Sequence, residues 1–247
     1  MIKQSYILIA GAVINELSGI IEQIEEHKHF YIGGKKIVSG NIGEQPVKII
    51  LTGPGIINCV HALTAVIEDS PPALILLTGC GGAFHQSGLG IGDIGIASTE
   101  IDIHMGIEND NDNFLLKDPP FQLLEKDGLS IKNKYPIAHI LRTRALDILS
   151  NYFKQENVNV KEGPFITVST ITASNDRAEK LYKRFNPIME AMEGTGGAHL
   201  AIHYGIPFLE IRAVSNMVGK RDISKWNLPL AFKNGSLAMS QIIQKIW

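Results

Sequence analysis

Leu74-Ile75-Leu76-Leu77-Thr78-Gly79-Cys80-Gly81-Gly82 is the stretch on which the reading of the fold turns. Four large apolar residues in a row, with no polar alternation, predict a strand buried on both faces. Such strands belong to sheets covered by helices on two sides. The glycines that follow predict a sharp turn at the strand's C-terminal end, the edge where open α/β sheets bind ligands. A run of glycines is also an ordinary way to make a tight turn, so the stretch alone specifies no ligand. It is not a dinucleotide fingerprint, because Phe84 stands where the third glycine belongs and no acidic residue ends a following strand at the expected distance. A Gly-Lys-Ser/Thr phosphate loop occurs nowhere in the chain, which argues against nucleoside triphosphates.

The pattern recurs on either side. Apolar runs at residues 6–10, 47–51, 94–97, 165–168 and 208–214 each predict a buried strand. Apolar residues at helical spacing over 58–68, 142–153, 177–185, 193–203 and 236–246 predict the helices between them. Strands alternating with helices predict an α/β domain with a largely parallel or mixed sheet. Two stretches break the rhythm. Residues 102–128 are polar and irregular, with Asn109-Asp110-Asn111-Asp112-Asn113 and Pro119-Pro120, and are long for a plain connection. They read equally as a functional or oligomer-contact loop and as a surface excursion. Residues 218–229 set Arg221, Asp222 and Trp226 in a loop-like context. No internal repeat or linker is seen, so one domain over 1–247 is expected.

The whole-chain properties exclude several classes. The 247 residues are 45% hydrophobic and 19% charged, an ordinary globular balance. A formal net charge of -2 gives no reason to expect nucleic acid or an acidic membrane as partner. Two cysteines, Cys59 and Cys80, imply no disulfide framework. The first ten residues lack the basic and apolar segments of a secretory leader, and no apolar stretch approaches the ~20 residues of a membrane span. A cytoplasmic setting is expected.

Candidate residues have a bland reading beside the functional one. Glu16 follows the first strand, where a carboxylate can meet a ligand, but acids also favour first helical turns. The same holds for Glu193. Asn216 follows the late strand and can simply turn the chain. Cys80 is placed like a nucleophile, yet cysteine is a common small buried residue. No serine sits in a Gly-x-Ser-x-Gly elbow. His199 and His203 share a helix face, but no third ligand stands out, so no metal is expected.

It is the joint order of these segments that is specific. The chain runs Gly11-Ala12…Glu16, Thr52-Gly53-Pro54-Gly55, Thr78-Gly79-Cys80-Gly81-Gly82, Gly92-Asp93-Ile94, Met192-Glu193 and Arg212-Ala213-Val214-Ser215-Asn216. Across nearly its whole length this resembles the purine nucleoside phosphorylase and methylthioadenosine nucleosidase superfamily. Two further segments, residues 168–172 and Ser215-Asn216-Met217-Val218-Gly219-Lys220-Arg221-Asp222…Trp226, resemble its futalosine hydrolase branch, which serves menaquinone biosynthesis.

The resemblance implies a three-layer α/β fold with a mixed, partly closed central sheet. It implies a nucleosidase that cuts the N-glycosidic bond of a purine nucleoside without a cofactor. In the futalosine hydrolase branch the products are hypoxanthine and dehypoxanthine futalosine. Glu16 would activate the water. Met192 and Glu193 would hold the ribose, the Glu through its hydroxyls. Ile171 and Thr172 would lie against the base, Thr172 through its backbone. Cys80, Gly81 and Gly82 would form the loop beside the sugar. Arg212 would stand near the water-binding carboxylates, and Ser215 and Asn216 at the base. Members are dimers or larger, with residues 102–128 the candidate partner loop. His104, Lys220 and Arg221 are unranked candidates for the 5′ substituent.

Two departures from the family patterns choose among activities. Phosphorylases carry phosphate-binding arginines where this chain has Leu77 and Asn15. A phosphate dianion would be poorly held without them, which favours water as nucleophile. Methylthioadenosine nucleosidases carry Asp where this chain has Asn216. An amide can donate to O6 and accept from a protonated N7, which suits a 6-oxopurine. Asn cannot supply a proton as an acid, leaving Asp222 or solvent as its source. The alternatives are a methylthioadenosine/S-adenosylhomocysteine nucleosidase and a purine nucleoside phosphorylase.

Overall fold

The computed structural model describes residues 5–109 and 115–247. Its centre is built from the apolar runs. β1 (Ile7–Gly11) lies parallel between β4 (Gln45–Leu51) and β5 (Leu74–Ala83). Ile7, Leu8, Ile9 and Leu74 to Leu77 are fully buried, as continuous apolar strands require. β6 (Ile94–Asp102), β10 (Val160–Thr167), β11 (Met189–Ala191) and β12 (Phe208–Met217) complete the core of the sheet. β2 (Glu25–Ile32), β3 (Lys35–Ile42) and β9 (Lys134–Pro136) join at its margins.

The strand order is β11-β10-β6-β12-β5-β1-β4-β3-β2, with β9 on β6. β11 also pairs with β5, so the sheet curls back on itself through β5, β12, β6, β10 and β11. β12 runs parallel to β5 and antiparallel to β6, which makes the sheet mixed. The partly closed, mixed sheet is as the sequence implied.

Two helical layers cover it. α1 (Ile14–Ile21), α3 (His139–Phe153) and α6 (Leu228–Lys245) pack together on one side. α2 (Ile56–Asp69) and α5 (Gly194–Tyr204) pack together against the other. α4 (Asn175–Phe185) buries Ala178 and Leu181 in a separate apolar cluster with Phe84, Ile166 and Val168. None of the described helices is long and apolar enough to cross a membrane.

The elements absent from the sequence reading have physical reasons. β2 is an edge strand exposed on most of its length, so no alternation marks it. It carries His27 and His29, both exposed. β11 and β9 have three residues each, too few to show a period. β7 (Leu124–Lys126) and β8 (Leu129–Ile131) make a small separate hairpin at the end of the 102–128 stretch. In the same stretch Asp110 to Asn113 lie outside the described residues. Arg184 on α4 bonds to Leu116 and Asp118, which pins the described part.

Candidate active site

A cleft of about 250 Å³ opens where the C-terminal ends of β1, β5, β11 and β12 meet. Glu16 reaches it from the first turn of α1. Its Oε2 accepts from the backbone N–H of Ala12 (3.0 Å) and of Val13 (3.2 Å), the α1 N-cap residue. Its Oε1 accepts from Cys80 N–H (2.9 Å), 64 residues away. The capping bonds at the start of α1 fix the Glu16 carboxylate at the cleft wall.

Gly79 is required for this approach. Its φ is +152°, and a Cβ there would lie 2.5 Å from Glu16 Oε1 and 2.7 Å from Arg212 Nη1. The first glycine of the decisive stretch therefore leaves the space where a side chain would stand to the Glu16 carboxylate and the Arg212 guanidinium.

Glu193 caps α5 and faces the same space. Its Oε1 accepts from Gly55 N–H (2.8 Å), the N-cap residue of α2, and its Oε2 pairs with Arg212 Nη2 (3.0 Å). Arg212, in the middle of β12 and 1% exposed, also donates from Nε to Glu210 Oε1 (2.7 Å). Burial alone would lower the Arg212 pKa, but Glu210, Glu193 and Glu16 hold it well above its ordinary value. Glu100 lies behind Glu210. Burial, then the Glu210 carboxylate, push its pKa well above the ordinary carboxylate value. Thr167 donates to it (3.1 Å), and the N–H of Thr195 donates to Thr167 (2.9 Å). Glu100 and Glu210 escaped the sequence reading because single acids inside apolar strands carry no motif.

Cys80, Gly81, Gly82, Ile171, Met192, Ser215 and Asn216 line the cleft with Glu16, Glu193 and Arg212. Burial, then the nearby Glu16 charge, push the Cys80 thiol up to about 12, which removes it as a nucleophile at neutral pH. Ser215 Oγ stands 2.8 Å from Asn216 Oδ1 and 3.2 Å from the Gly81 carbonyl. The Asn216 amide nitrogen donates to the Met217 carbonyl (3.3 Å). Thr172 is buried beside the cleft, and its N–H is occupied by Glu190 Oε1 at 3.3 Å. Glu190 lines the cleft and was not singled out in the sequence.

Two expected placements differ. Asp222 is not in the cleft. It caps a 3-10 turn at Ile223–Lys225, accepts from Ser224 N–H and Oγ, and lines a neighbouring depression with Lys220 and Lys225. The Ser224 bonds hold its pKa below the ordinary value, the wrong direction for a proton donor. Its loop turns away because the cap holds it there. His104 is also diverted: its Nε2 accepts from Ser169 N–H (2.7 Å). Arg221 lies 5.3 Å over the ring of Trp226, and Trp226 does line it.

This convergence of distant chain segments on one carboxylate-rich cleft has known counterparts. The family model of the phosphorylase superfamily matches residues 6–244. The chain belongs to that superfamily. As a superfamily enzyme it is 23% identical over 241 residues to a 5′-methylthioadenosine/S-adenosylhomocysteine nucleosidase of Oceanobacillus iheyensis, covering 96% of this chain and 98% of that one. It is 34% identical over 163 residues to a futalosine hydrolase of Streptomyces coelicolor, covering 66% and 61%. Its fold matches the 5′-methylthioadenosine/S-adenosylhomocysteine nucleosidase of Neisseria meningitidis, solved with methylthio-immucillin-A. There the TM-score is 0.82 at 19% identity, over 98% and 99% of the two chains.

Proposed function

We propose that this superfamily member is a nucleosidase that hydrolyses the N-glycosidic bond of a 6-oxopurine nucleoside, futalosine, releasing hypoxanthine and dehypoxanthine futalosine. The observation that carries the 6-oxo reading is the carboxamide of Asn216 in the cleft wall. Its carbonyl accepts from N7–H as the base leaves, and its NH₂ donates to O6. Cleavage passes through a ribosyl cation-like state. Glu16 takes a proton from water as the water oxygen bonds to C1′ and the C1′–N9 bond breaks. The bonding electrons go to the purine, which is protonated at N7 from solvent. Glu193 accepts from the ribose hydroxyls, and Arg212 keeps Glu193 in place.

Water is favoured over phosphate by the same geometry. Leu77 is fully buried inside β5, and Asn15 lines a separate surface depression. Among the described residues the cation lining the cleft is Arg212, already committed to Glu193 and Glu210. A second reading, methylthioadenosine/S-adenosylhomocysteine cleavage, is supported by the near full-length relative that bears that name. We infer a homodimer or larger homo-oligomer, because Val13 at the cleft wall and Ile14 and Ile57 expose large apolar side chains. Product analysis over futalosine, inosine and methylthioadenosine, with and without phosphate, tests the proposal. Release of hypoxanthine from futalosine in preference to the other two supports it. Preferred release of adenine from methylthioadenosine replaces it with the second reading.

A further inference from the structure

The network around Arg212 continues behind the cleft wall. Glu100 on β6 and Glu210 on β12 are both fully buried, and neither lines the cleft. They meet over Gly194, the first residue of α5, which directly follows Glu193. A Cβ on Gly194 would lie 2.1 Å from Glu100 Oε2 and 2.4 Å from Glu210 Oε2. The bare glycine leaves its side-chain space to two carboxyl groups.

Donors there do not match the acceptors. Glu210 Oε1 accepts from Arg212 Nε (2.7 Å), and Glu100 Oε2 accepts from Thr167 Oγ1 (3.1 Å). Glu100 Oε1 and Glu210 Oε2 are buried without a hydrogen-bond partner. The cation facing the pair, Arg212, also serves Glu193. Two ionised acids side by side would leave a buried charge and two acceptors uncompensated. One proton removes a charge and supplies the missing donor.

We propose that Glu100 and Glu210 hold one proton between them, and that the pair positions the hydrolytic machinery: its remaining charge anchors the Nε edge of Arg212, so that the opposite edge holds Glu193 against the ribose. The proposal rests on Glu193 as the ribose ligand and adds two positioning residues that touch no substrate. A guanidinium is a planar fork, so fixing Nε sets where Nη2 points. The anchor also decides which carboxylate Arg212 serves. Arg212 Nη1 and Glu16 Oε1 both approach the same bare position at Gly79, yet the guanidinium bonds to Glu210 and Glu193. Released from Glu210, it could swing to Glu16 and occupy the carboxylate that must take the proton from water.

The electrostatics agree with a proton resting on Glu100 and a charge on Glu210. Burial raises both pKa values; the Glu210 carboxylate raises that of Glu100 further, while Arg212 pulls that of Glu210 back down. The other titratable groups facing the pair are Glu193 and the Cys59 thiol on α2, which burial and then Glu193 and Glu210 raise far above its ordinary value.

Infrared difference spectra of the intact protein above neutral pH read the proton, and steady-state kinetics read the positioning. Wild type should show the carbonyl stretch of a protonated carboxyl that Glu100→Gln lacks. Equal spectra overturn the shared proton. Kinetics use the nucleoside selected by the product assay above. Glu210→Ala should lower kcat/KM on the order of 10²-fold, through KM as well as kcat. Glu210→Gln should recover most of that loss, because its amide oxygen can accept from Arg212 Nε and its NH₂ can donate to Glu100. A merely structural role would lower the stability of Glu210→Ala and leave kcat and KM per folded site unchanged, which overturns the positioning role. Should Glu210→Ala not fold, Glu210→Asp replaces it: the charge stays but is withdrawn from Nε by one methylene, and an unchanged KM overturns the proposal. Failure of wild type to cleave any of the three nucleosides overturns the positioning role together with the proposed function, while the spectra still read the pair.

Discussion

The two ends of the cleft are built in opposite ways. At the end assigned to the sugar, each carboxylate oxygen of Glu16 and Glu193 has a protein partner, and Arg212 is locked between Glu193 and Glu210. At the end assigned to the base, Glu190 Oε2 has none and the Asn216 amide is half-buried. A saturated network fixes geometry before the substrate arrives and costs no reorganisation during the reaction. An unsaturated one leaves the substrate to supply the missing hydrogen bonds, which makes affinity depend on the substrate's own donors and acceptors. On the proposed reading, shared chemistry sits at the closed end and selectivity at the open end.

The sharpest way to break this contrast is to remove Arg212. Arg212→Met leaves the Glu193 and Glu210 carboxylates buried without their cation, and should cost about 3–5 kcal/mol of stability. Denaturant unfolding checks it. A loss near that of an ordinary surface change would mean that the closed end is not structural. Glu16→Gln tests the chemistry of the same end. It should lower turnover on the order of 10²-fold or more while leaving substrate binding largely intact. Near-normal turnover would remove Glu16 as the base.

Effects at the open end should be smaller. Native Glu190 holds its proton to a higher pH than an unfolded carboxyl, so the folded state binds more protons between the two pKa values and stability falls as pH rises through about 7. Glu190→Gln should lose that fall, gaining roughly 2–3 kcal/mol over wild type above neutrality and little below pH 4. Thermal unfolding across pH reads the difference, and parallel curves would count against it. Asn216→Asp should slow futalosine cleavage roughly tenfold and raise the relative rate on an adenine-bearing analogue. An unchanged 6-oxo to 6-amino ratio would reduce Asn216 to a turn residue. Phosphate should have the smallest effect of all: the rate should not change with it, and ribose 1-phosphate products would overturn the hydrolytic reading.

Much of the closed end was legible in the chain itself. Glu16, Met192, Glu193 and Arg212 lie in short segments whose order along the sequence matches a superfamily pattern, and each follows or lies within an apolar strand. Such strands announce themselves because burial on both faces demands uninterrupted apolar residues. Asp222 shows the limit of reading by proximity in sequence: six residues after Asn216, it is held outside the cleft by its own Ser224 cap.

The sequence by itself determined the α/β class, the principal buried strands and the residue types available for acid–base work. Local composition is enough for those, since they follow from periodicity and side-chain chemistry. Only the tertiary structure decided which groups meet. Glu190 lies in a three-residue strand with no readable period, and it comes opposite Gly82, as Asn216 does, because β11 and β12 both close onto β5 there. Glu16 joins Cys80 across 64 residues, and Glu193 joins Gly55 across 138. Pairings at such separations are set by strand order and closure of the sheet, which depend on how the whole core packs and leave no mark on any local stretch of sequence.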